Sequence, residues 1–355
     1  MRLQTTGYPG LPGTKTGSGR PSRPADDKSR LRQAAILLLI TCCLLFAASG
    51  CSVTYPKEKL KESIVNICKN EYKLDVKVDT VGNTIAIYLP LEDLLDFSFG
   101  ITKSAGDKVN DVILSVTRVV LSTDAKSRFY CIIAHDIRIP EIQVVIIKSV
   151  SDVKRLLLSD ISRGEYSKRI LIDMRISPQS QKERSIQEVF QKMSLDKNAQ
   201  DQVMNDFFRS EPTALGDIGY WNDHFYIKDV MLPEFLAEQI ASRTRIDFRE
   251  NKKLMEAFTL KYAKGAYVSR PDRRYFRLEV LTEPKWFKEL NPDAASAAFF
   301  ESVLKIASHV AHVYKFEDFE YIEIVTQNDG KVLKVSREDL ENFRTRKIKL
   351  EEIVT

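Results

Sequence analysis

The chain has 355 residues, enough for two domains, and carries 54 Lys and Arg against 49 Asp and Glu, a net charge of +5. Seven basic and two acidic residues lie within positions 1–50, so this surplus of five equals the net charge of the whole chain. With 43% hydrophobic and 29% charged residues, the composition excludes a disordered or collagen-like protein. The basic balance belongs to the N-terminal segment, and no nucleic-acid partner is predicted.

An export signal is the most specific motif in the sequence. A cationic end within residues 28–32 is followed by the uncharged residues 33–49 and then, after small residues, by Cys51. This order resembles the signal of bacterial lipoproteins, whose lipobox places small residues before an invariant cysteine. The resemblance implies that Cys51 is diacylated on its sulfur and that residues 1–50 are a signal peptide with a disordered extension. The alternative is an uncleaved anchor or a buried helix at 33–49, although this run is short for a membrane span.

Lipidation of Cys51 would tether the protein to a membrane without spanning it, because two or three acyl chains hold a protein stably on a bilayer. In proteins with such signals, Asp after the lipidated cysteine is the usual retention signal for the inner membrane. Here that position is Ser52. The resemblance therefore implies a membrane-anchored protein on the periplasmic side, with the outer membrane favoured over the inner one.

Two cysteines, Cys68 and Cys131, remain after the signal and the lipidated residue are set aside. Cys68 lies on the apolar stripe of a predicted helix, and Cys131 lies in a strand that reads as buried on both faces. In an oxidising compartment the two could form a disulfide. The alternative is two buried thiols that act as small apolar residues. No structural zinc site is predicted, because neither cysteine has a histidine at ligand spacing.

The body of the chain shows an internal duplication of its secondary-structure pattern. Each of two tandem units is predicted to follow the order αββαββα and to end in a short strand. The first unit comprises a helix at 57–73, strands at 74–79 and 84–89, a helix at 110–122, strands at 129–135 and 142–148, a capping box at 149–152 and a strand at 170–172. The second comprises a helix at 233–244, strands at 258–268 and 274–281, a helix at 294–314, strands at 321–326 and 331–335, a capping box at 336–339 and a strand at 348–350.

This order predicts an α+β fold, in which helices pack on mainly antiparallel sheets. The predicted boundaries are 51–177 for the first unit, 178–230 for a helical connector and 231–355 for the second unit. The connector is expected to hold short amphipathic helices at 185–193 and 199–208 and an aromatic loop at Tyr220-Trp221.

One stretch of the first unit, residues 74–136, looks like the peptidoglycan-binding domains of the outer-membrane protein A type. The likeness rests on a strand pair, a helix and a strand that ends in His135-Asp136. In that family a helix with a ligand-reading arginine follows the strand, whereas Arg138 here leads directly into another strand. Peptidoglycan binding is therefore kept only as a remote alternative, and no binding residue is carried over.

Motifs for catalysis are absent from the sequence: it contains no nucleophile elbow, phosphate loop, paired zinc histidines or Cys-x-x-Cys. His309 and His312 could share a metal, but no acidic residue is near them in the sequence, and we expect them to be solvated. His135 and Asp136 point to opposite faces of a strand and are poorly placed to act together. His224 follows a polar loop. No cofactor, metal or catalytic residue is predicted.

A local basic segment at 243–277 holds eleven basic residues against four acidic ones, with aromatic residues interleaved. On an exported protein such a segment would suit lipid headgroups or anionic envelope polymers. Its candidate contact residues are Arg270, Arg273, Arg274 and Arg277. The alternative is a solvated face that is compensated by the acidic residues of 317–323.

These observations predict a lipid-anchored envelope lipoprotein that acts as a non-catalytic binding or scaffold module for other envelope proteins or anionic polymers. The alternative is an envelope hydrolase with an unrecognised carboxylate or histidine site. The two differ in an observable feature. An enzyme should have a closed pocket that gathers His135, His224 or several carboxylates, whereas a scaffold should have a broad groove or a sheet edge at the junction of the units.

Overall fold

The computed structural model of the chain describes residues 55–96, 100–176, 190–191, 193, 196, 215, 218–285, 292–328 and 330–353. The predicted signal peptide, Cys51 and Ser52 lie outside these residues, as do most of the two connector helices. Residues 53–355 form one compact unit; we refer to residues 55–176 as its first half and to residues 231–353 as its second half. Within the part of the chain described, no helix combines the length and the apolar character that crossing a membrane requires.

The first half begins with a 3₁₀ turn (Lys57–Lys59) and helix α1 (Leu60–Tyr72). Helix α1 buries Leu60, Ile64, Ile67 and Cys68, which confirms the apolar stripe expected from their helical spacing. The elements that follow are β1 (Lys77–Val81), β2 (Thr84–Leu91), α2 (Lys103–Leu121), β3 (Phe129–Asp136), β4 (Ile142–Ser149), α3 (Val150–Leu157), α4 (Arg163–Lys168) and β5 (Leu171–Ile176). The tight turn between β1 and β2 is made by Gly82, whose φ of 56° suits glycine, and by Asn83.

A two-stranded hairpin, β6 (Gly219–Trp221) and β7 (His224–Tyr226), precedes the second half. The second half then comprises α5 (Leu232–Glu250), α6 (Lys252–Ala257), β8 (Phe258–Arg270), β9 (Arg273–Pro284), α7 (Pro292–Val313), β10 (Tyr321–Thr326), β11 (Val332–Ser336) and α8 (Arg337–Arg344). The chain closes with a 3₁₀ turn at Leu350–Glu352. The strand expected at 348–350 is therefore wrong, although its counterpart in the first half is present as β5.

The two large sheets have closely related topologies. The first has the strand order β1-β2-β3-β4-β5, and the second has the order β11-β10-β9-β8. In each, a hairpin, a helix and a second hairpin follow one another, and the inner strands of the two hairpins pair in parallel. All other pairs are antiparallel. The fold is α+β with mostly antiparallel strands, as the sequence predicts, whereas the origin of the two halves by duplication stays a prediction.

The first sheet is covered on both faces. Successive side chains of its central strands point to opposite faces, and those on both faces are buried. Tyr130, Ile132 and Ala134 of β3 pack with α1 and α2 in one hydrophobic cluster. Phe129 and Ile133, on the other face, join a second cluster that includes residues of α5, α7 and the second sheet. The two halves therefore share this second core. The boundaries at 177 and 230 stay a prediction.

The two cysteines lie on opposite faces of this first sheet. Cys68 belongs to the cluster under α1, whereas Cys131 on β3 belongs to the shared cluster. Both are buried free thiols, so the disulfide that the sequence allowed is not formed. Strand alternation is the reason, since it turns the side chain of Cys131 away from α1. Burial disfavours the thiolate and raises the pKa of Cys131 to about 12.

Candidate binding groove

Two adjoining cavities lie where the first half meets the second, with volumes of about 840 and 680 Å³. The larger one borders α8, and we call it the α8 cavity. The smaller one borders α3, and we call it the α3 cavity. The two together are the junction groove. Arg155, Val313 and Lys315 line both cavities. Arg155 of α3 donates from Nη1 to the carbonyl of Val313 at the end of α7, at 3.3 Å, so this hydrogen bond joins the two halves inside the groove.

The α8 cavity has a balanced set of charges over apolar side chains. Phe316, Phe319 and Leu340 contribute its apolar surface. Its charged side chains are Arg155, Lys315, Arg337, Glu317, Glu338 and Glu341. Equal numbers of the two signs give this cavity no preference for a charged partner.

The α3 cavity is electropositive. Four basic side chains border it, Arg128, Lys154, Arg155 and Lys315, against the single acidic residue Asp160. None of the four forms an ion pair with another residue that the structure describes, and apart from the bond from Arg155 to the carbonyl of Val313 their side chains are available to a ligand. Phe129, Val150 and Leu232 supply apolar wall. The cavity therefore offers positive charge beside an apolar surface.

Lys315 reaches the groove from an unusual backbone conformation. Helix α7 ends in a Schellman motif, in which the amide of Phe316 donates to the carbonyl of Ala311 at 2.9 Å and the amide of Lys315 to that of His312 at 3.0 Å. Lys315 occupies the left-handed position of this motif with a φ of 50°, where glycine is usual. A lysine at this position accepts backbone strain and places a positive charge on the groove.

The start of α3 corrects a prediction from the sequence. Ser149 is the N-cap of α3, but its side chain makes no capping hydrogen bond, and Asp152 is buried in an ion network instead of reaching back to Ser149. In the second half only the N-cap part of the predicted box is present: the amide of Asp339 donates to the hydroxyl of Ser336 at 3.0 Å, and the Asp339 carboxylate accepts from that same hydroxyl. The side chain of Ser149 is only 5% exposed and borders the α3 cavity. Its hydroxyl is therefore free to bond to water or to a ligand in that cavity.

A buried ion network lies beside the groove and joins the halves. Arg169, 2% exposed, donates to Asp152 at 2.7 Å and to Glu165 at 2.9 Å. Arg243 of α5 donates to Glu165 at 2.9 Å from the other half. The hydroxyl of Tyr314, which borders the α3 cavity, donates to the second carboxylate oxygen of Asp152. These contacts satisfy the buried charges and orient the residues behind the cavity.

The pKa of Glu165 shows how strongly this network favours the charged form. Burial by itself would raise the pKa, but the hydrogen bonds and positive charges of Arg243 and Arg169 outweigh it and lower the pKa to about 2. Nothing in the sequence marks this network, because Asp152 and Tyr314 are 162 residues apart. It is a product of the tertiary structure.

His309 and His312 are both exposed, as expected, but His309 differs from the prediction in having a partner. His309 does have an acidic partner, since its Nε2 lies 3.5 Å from Glu165, and burial is the main cause that lowers its pKa. His312 lines the α8 cavity. Among the described residues, no three His, Cys, Asp or Glu side chains come together as a metal site would require.

His135 and Asp136 have separate partners. Nδ1 of His135 lies 2.6 Å from the hydroxyl of Tyr88, and burial lowers the pKa of this histidine. Asp136 is fully buried; it accepts hydrogen bonds from the amide of Leu94 at 3.1 Å and from Nη2 of Arg138 at 3.0 Å. Arg138 is thus engaged with a carboxylate of its own turn. The two residues stabilise the end of β3 independently, as strand alternation predicts.

The aromatic loop of the connector is a hairpin that packs against the first half. Tyr220 stacks on Tyr88 with ring centroids 3.9 Å apart, and its hydroxyl accepts from Nζ of Lys77 at 2.6 Å. Asn222 and Asp223, both at positive φ, make the turn, and this Asn-Asp pair is a turn signal that the prediction of an aromatic loop did not use. His224 is exposed on β7, and neither it nor His135 lines the junction groove.

The four arginines singled out from the basic segment lie around the hairpin of β8 and β9. Arg274 pairs with Asp318, Arg277 contacts Glu279 at 2.8 Å and Glu323 at 3.3 Å, and Arg273 lies 3.5 Å from Asp272. Arg270 is exposed at the end of β8. Acidic residues of 317–323 therefore contact two of the four arginines, which favours a compensated face over an anion-binding one.

Comparison with protein families, with curated proteins and with solved structures finds no match to this chain.

Proposed function

We propose that this protein is a lipid-anchored lipoprotein of the bacterial cell envelope that acts as a non-catalytic binding module, and that the junction groove is its binding surface. The lipobox at Cys51 supports the anchor and the envelope location. The observation that carries the binding role is the groove itself, which is built from both halves and extends over two adjoining cavities of about 840 and 680 Å³. Such volumes suit a ligand or a partner segment of appreciable size.

The chemistry along the groove supports binding over catalysis. His135 and His224, the histidines considered for an acid or base, lie away from it. The α8 cavity does gather three carboxylates, but all three are exposed, and Glu317 and Glu341 pair with Arg337 and Arg344. The charges of the α3 cavity are mainly basic. A positive cavity with apolar walls recognises a partner, whereas hydrolysis by a carboxylate pair needs two acidic side chains that face each other.

The anchor can be tested by expressing the full chain in bacteria supplied with an alkyne-bearing palmitate analogue, followed by mass spectrometry of the mature N-terminus. We expect label and cleavage at Cys51, and neither in a Cys51→Ala variant. A chain that keeps residues 33–49, or that carries no acyl group at Cys51, would refute the lipoprotein proposal.

The binding role can be tested by placing a photo-crosslinking amino acid at Asn342, which lines the α8 cavity, and irradiating intact envelopes. The matched control carries the same amino acid at Leu114, which is 57% exposed on α2. We expect a discrete adduct from Asn342 only, and its loss when Arg155 is changed to Glu in the same chain. Adducts of equal intensity from both positions, or none from Asn342, would contradict the groove as the binding surface.

A further inference from the structure

Within the junction groove, the start of α3 has backbone amides that can donate hydrogen bonds to a ligand. The first amides of an α-helix have no intrahelical acceptor, and the helix dipole makes this end partly positive. The amide of Val150 donates to the carbonyl of Arg128 at 2.9 Å, so the amides of Ser151 and Asp152 are the donors that the helix start presents. The N-cap side chain, which normally accepts one of these bonds, does not do so here.

The second feature of the site is the side chain of Ser149, the N-cap of this helix. It is 5% exposed, borders the α3 cavity and makes no hydrogen bond with any residue that the structure describes. Ser336 lies at the corresponding place in the second half, and its hydroxyl forms hydrogen bonds with Asp339. The hydroxyl of Ser149 is therefore available to a ligand in the cavity.

The charge around the cavity decides the sign of that ligand. Arg128, Lys154, Arg155 and Lys315 contribute four positive charges, and Asp160 is the one acidic side chain among the lining residues. The nearby carboxylate of Asp152 pairs with Arg169 and accepts a hydrogen bond from Tyr314, and Asp152 is not among the residues that line the cavity. The geometry therefore favours an anion.

We propose that the α3 cavity binds a phosphate or carboxylate group, held by the amides at the start of α3, the hydroxyl of Ser149 and the basic side chains of Lys154 and Lys315. The volume of about 680 Å³ exceeds that of a free phosphate, and Phe129 and Leu232 line the remainder, so the anionic group belongs to a molecule with an apolar portion. This proposal rests on the groove being a binding surface and is independent of the lipid anchor.

The test uses the full chain, purified as expressed, and measures its unfolding temperature against ligand concentration at constant ionic strength. Three probes are compared: inorganic phosphate, acetate and a water-soluble dihexanoyl phosphatidic acid. Dihexanoyl phosphatidylcholine, a zwitterion with no net charge, is the control for the phosphatidic acid. We expect a saturable rise with phosphate or acetate, because a ligand that binds only the folded state stabilises it. Tighter binding of the phosphatidic acid than of phosphate, by about tenfold or more, would support an anionic group on a molecule with an apolar portion, and equal binding would contradict the apolar portion.

Three variants and a control make the result specific. Lys154→Glu should weaken binding about tenfold, and Ser149→Ala should weaken it while leaving the ligand-free protein as stable as before, since that hydroxyl has no partner to lose. Lys315→Gly should weaken binding in a protein that is no less stable. The control, Lys69→Glu, reverses an exposed lysine on α1 and should leave binding unchanged.

The proposal is overturned if none of the anions stabilises the protein, or if Lys69→Glu weakens binding as much as Lys154→Glu does. Either result would leave the crosslinking test at Asn342 unaffected. A groove that still captures its partner there would separate failure of this anion site from failure of the binding role.

Discussion

Lys148 is a basic residue whose side chain is buried. Its side chain lies on β4, only 5% exposed, with its ammonium 5.2 Å from the ring centroid of Tyr166 and no carboxylate beside it among the described residues. Burial disfavours the charged form and lowers the pKa to about 8. The contact with the aromatic ring offsets only part of this penalty.

Replacing Lys148 with Met should therefore stabilise the protein at pH 7, by about 1–3 kcal/mol. The folded-state pKa of about 8 lies below the unfolded value of 10.5, so the unfolded chain binds more protons between these limits. Wild-type stability should rise from pH 8 to pH 10, and the advantage of Lys148→Met should shrink over the same range. Urea unfolding at several pH values measures this. A destabilised variant would mean that the charged amine has a partner.

Lys315 gives a second prediction at this scale, because its φ of 50° suits glycine better than lysine. Lys315→Gly should raise the free energy of unfolding by about 0.5–1 kcal/mol, whereas Lys315→Ala, which keeps a Cβ, should not. Thermal unfolding of the two variants gives the comparison. Equal stability of both variants would show that the left-handed backbone costs nothing here.

At the scale of the elements, α5 and β8 approach each other closely, and Gly265 permits it. A Cβ at Gly265 would lie 1.9 Å from the carbonyl oxygen of Ala237, on the backbone of α5. Because neither backbone can give way easily, only glycine fits. This contact holds the second sheet against the helix that also packs on Phe129 of the first sheet.

Gly265→Ala should therefore destabilise the protein by about 2 kcal/mol or more through overpacking. Gly106→Ala is the matched control, because Gly106 lies within α2 and a Cβ there would meet nothing within 4 Å. That variant should gain about 0.5–1 kcal/mol from helix propensity. Chemical denaturation compares the two, and a loss of stability in both, or in neither, would rule out the steric explanation.

At the scale of the whole molecule, Glu165 ties the halves together electrostatically. It accepts from Arg169 of its own half and from Arg243 of the other, and its pKa of about 2 lies below the ordinary value of 4.5. The unfolded chain therefore binds more protons between these values. The stability that this carboxylate contributes is fully present above about pH 5 and is lost as the pH falls towards 2.

Glu165→Gln should lower the free energy of unfolding at pH 7 by about 1–3 kcal/mol, since two arginines lose a charged partner. The difference from wild type should disappear near pH 2, where Glu165 itself becomes protonated. Glu341→Gln, which removes an exposed partner of Arg344, is the control and should change stability by no more than about 0.5 kcal/mol. A difference between Glu165→Gln and wild type that persists unchanged to pH 2 would contradict the assigned pKa.

Local patterns in the sequence determined most of the elements. The stripes on α1 and α7, the turn at Gly82-Asn83 and the N-cap at Ser336 depend on residues a few positions apart, so they can be predicted from the local sequence. The α+β class follows from their order. The proposed anchor at Cys51 also comes from the sequence, where a short and contiguous signal carries it.

The tertiary structure alone decided what the groove is made of. Ser149 and Asp152 have the spacing of a capping box, but packing of α7 and Arg169 against α3 draws Asp152 into the network and leaves the hydroxyl of Ser149 at the cavity. The burial of Lys148 and the separation of Cys68 from Cys131 likewise depend on which face of a strand meets which helix. These contacts join residues that are far apart in the chain, and their energies depend on burial, which no local spacing encodes.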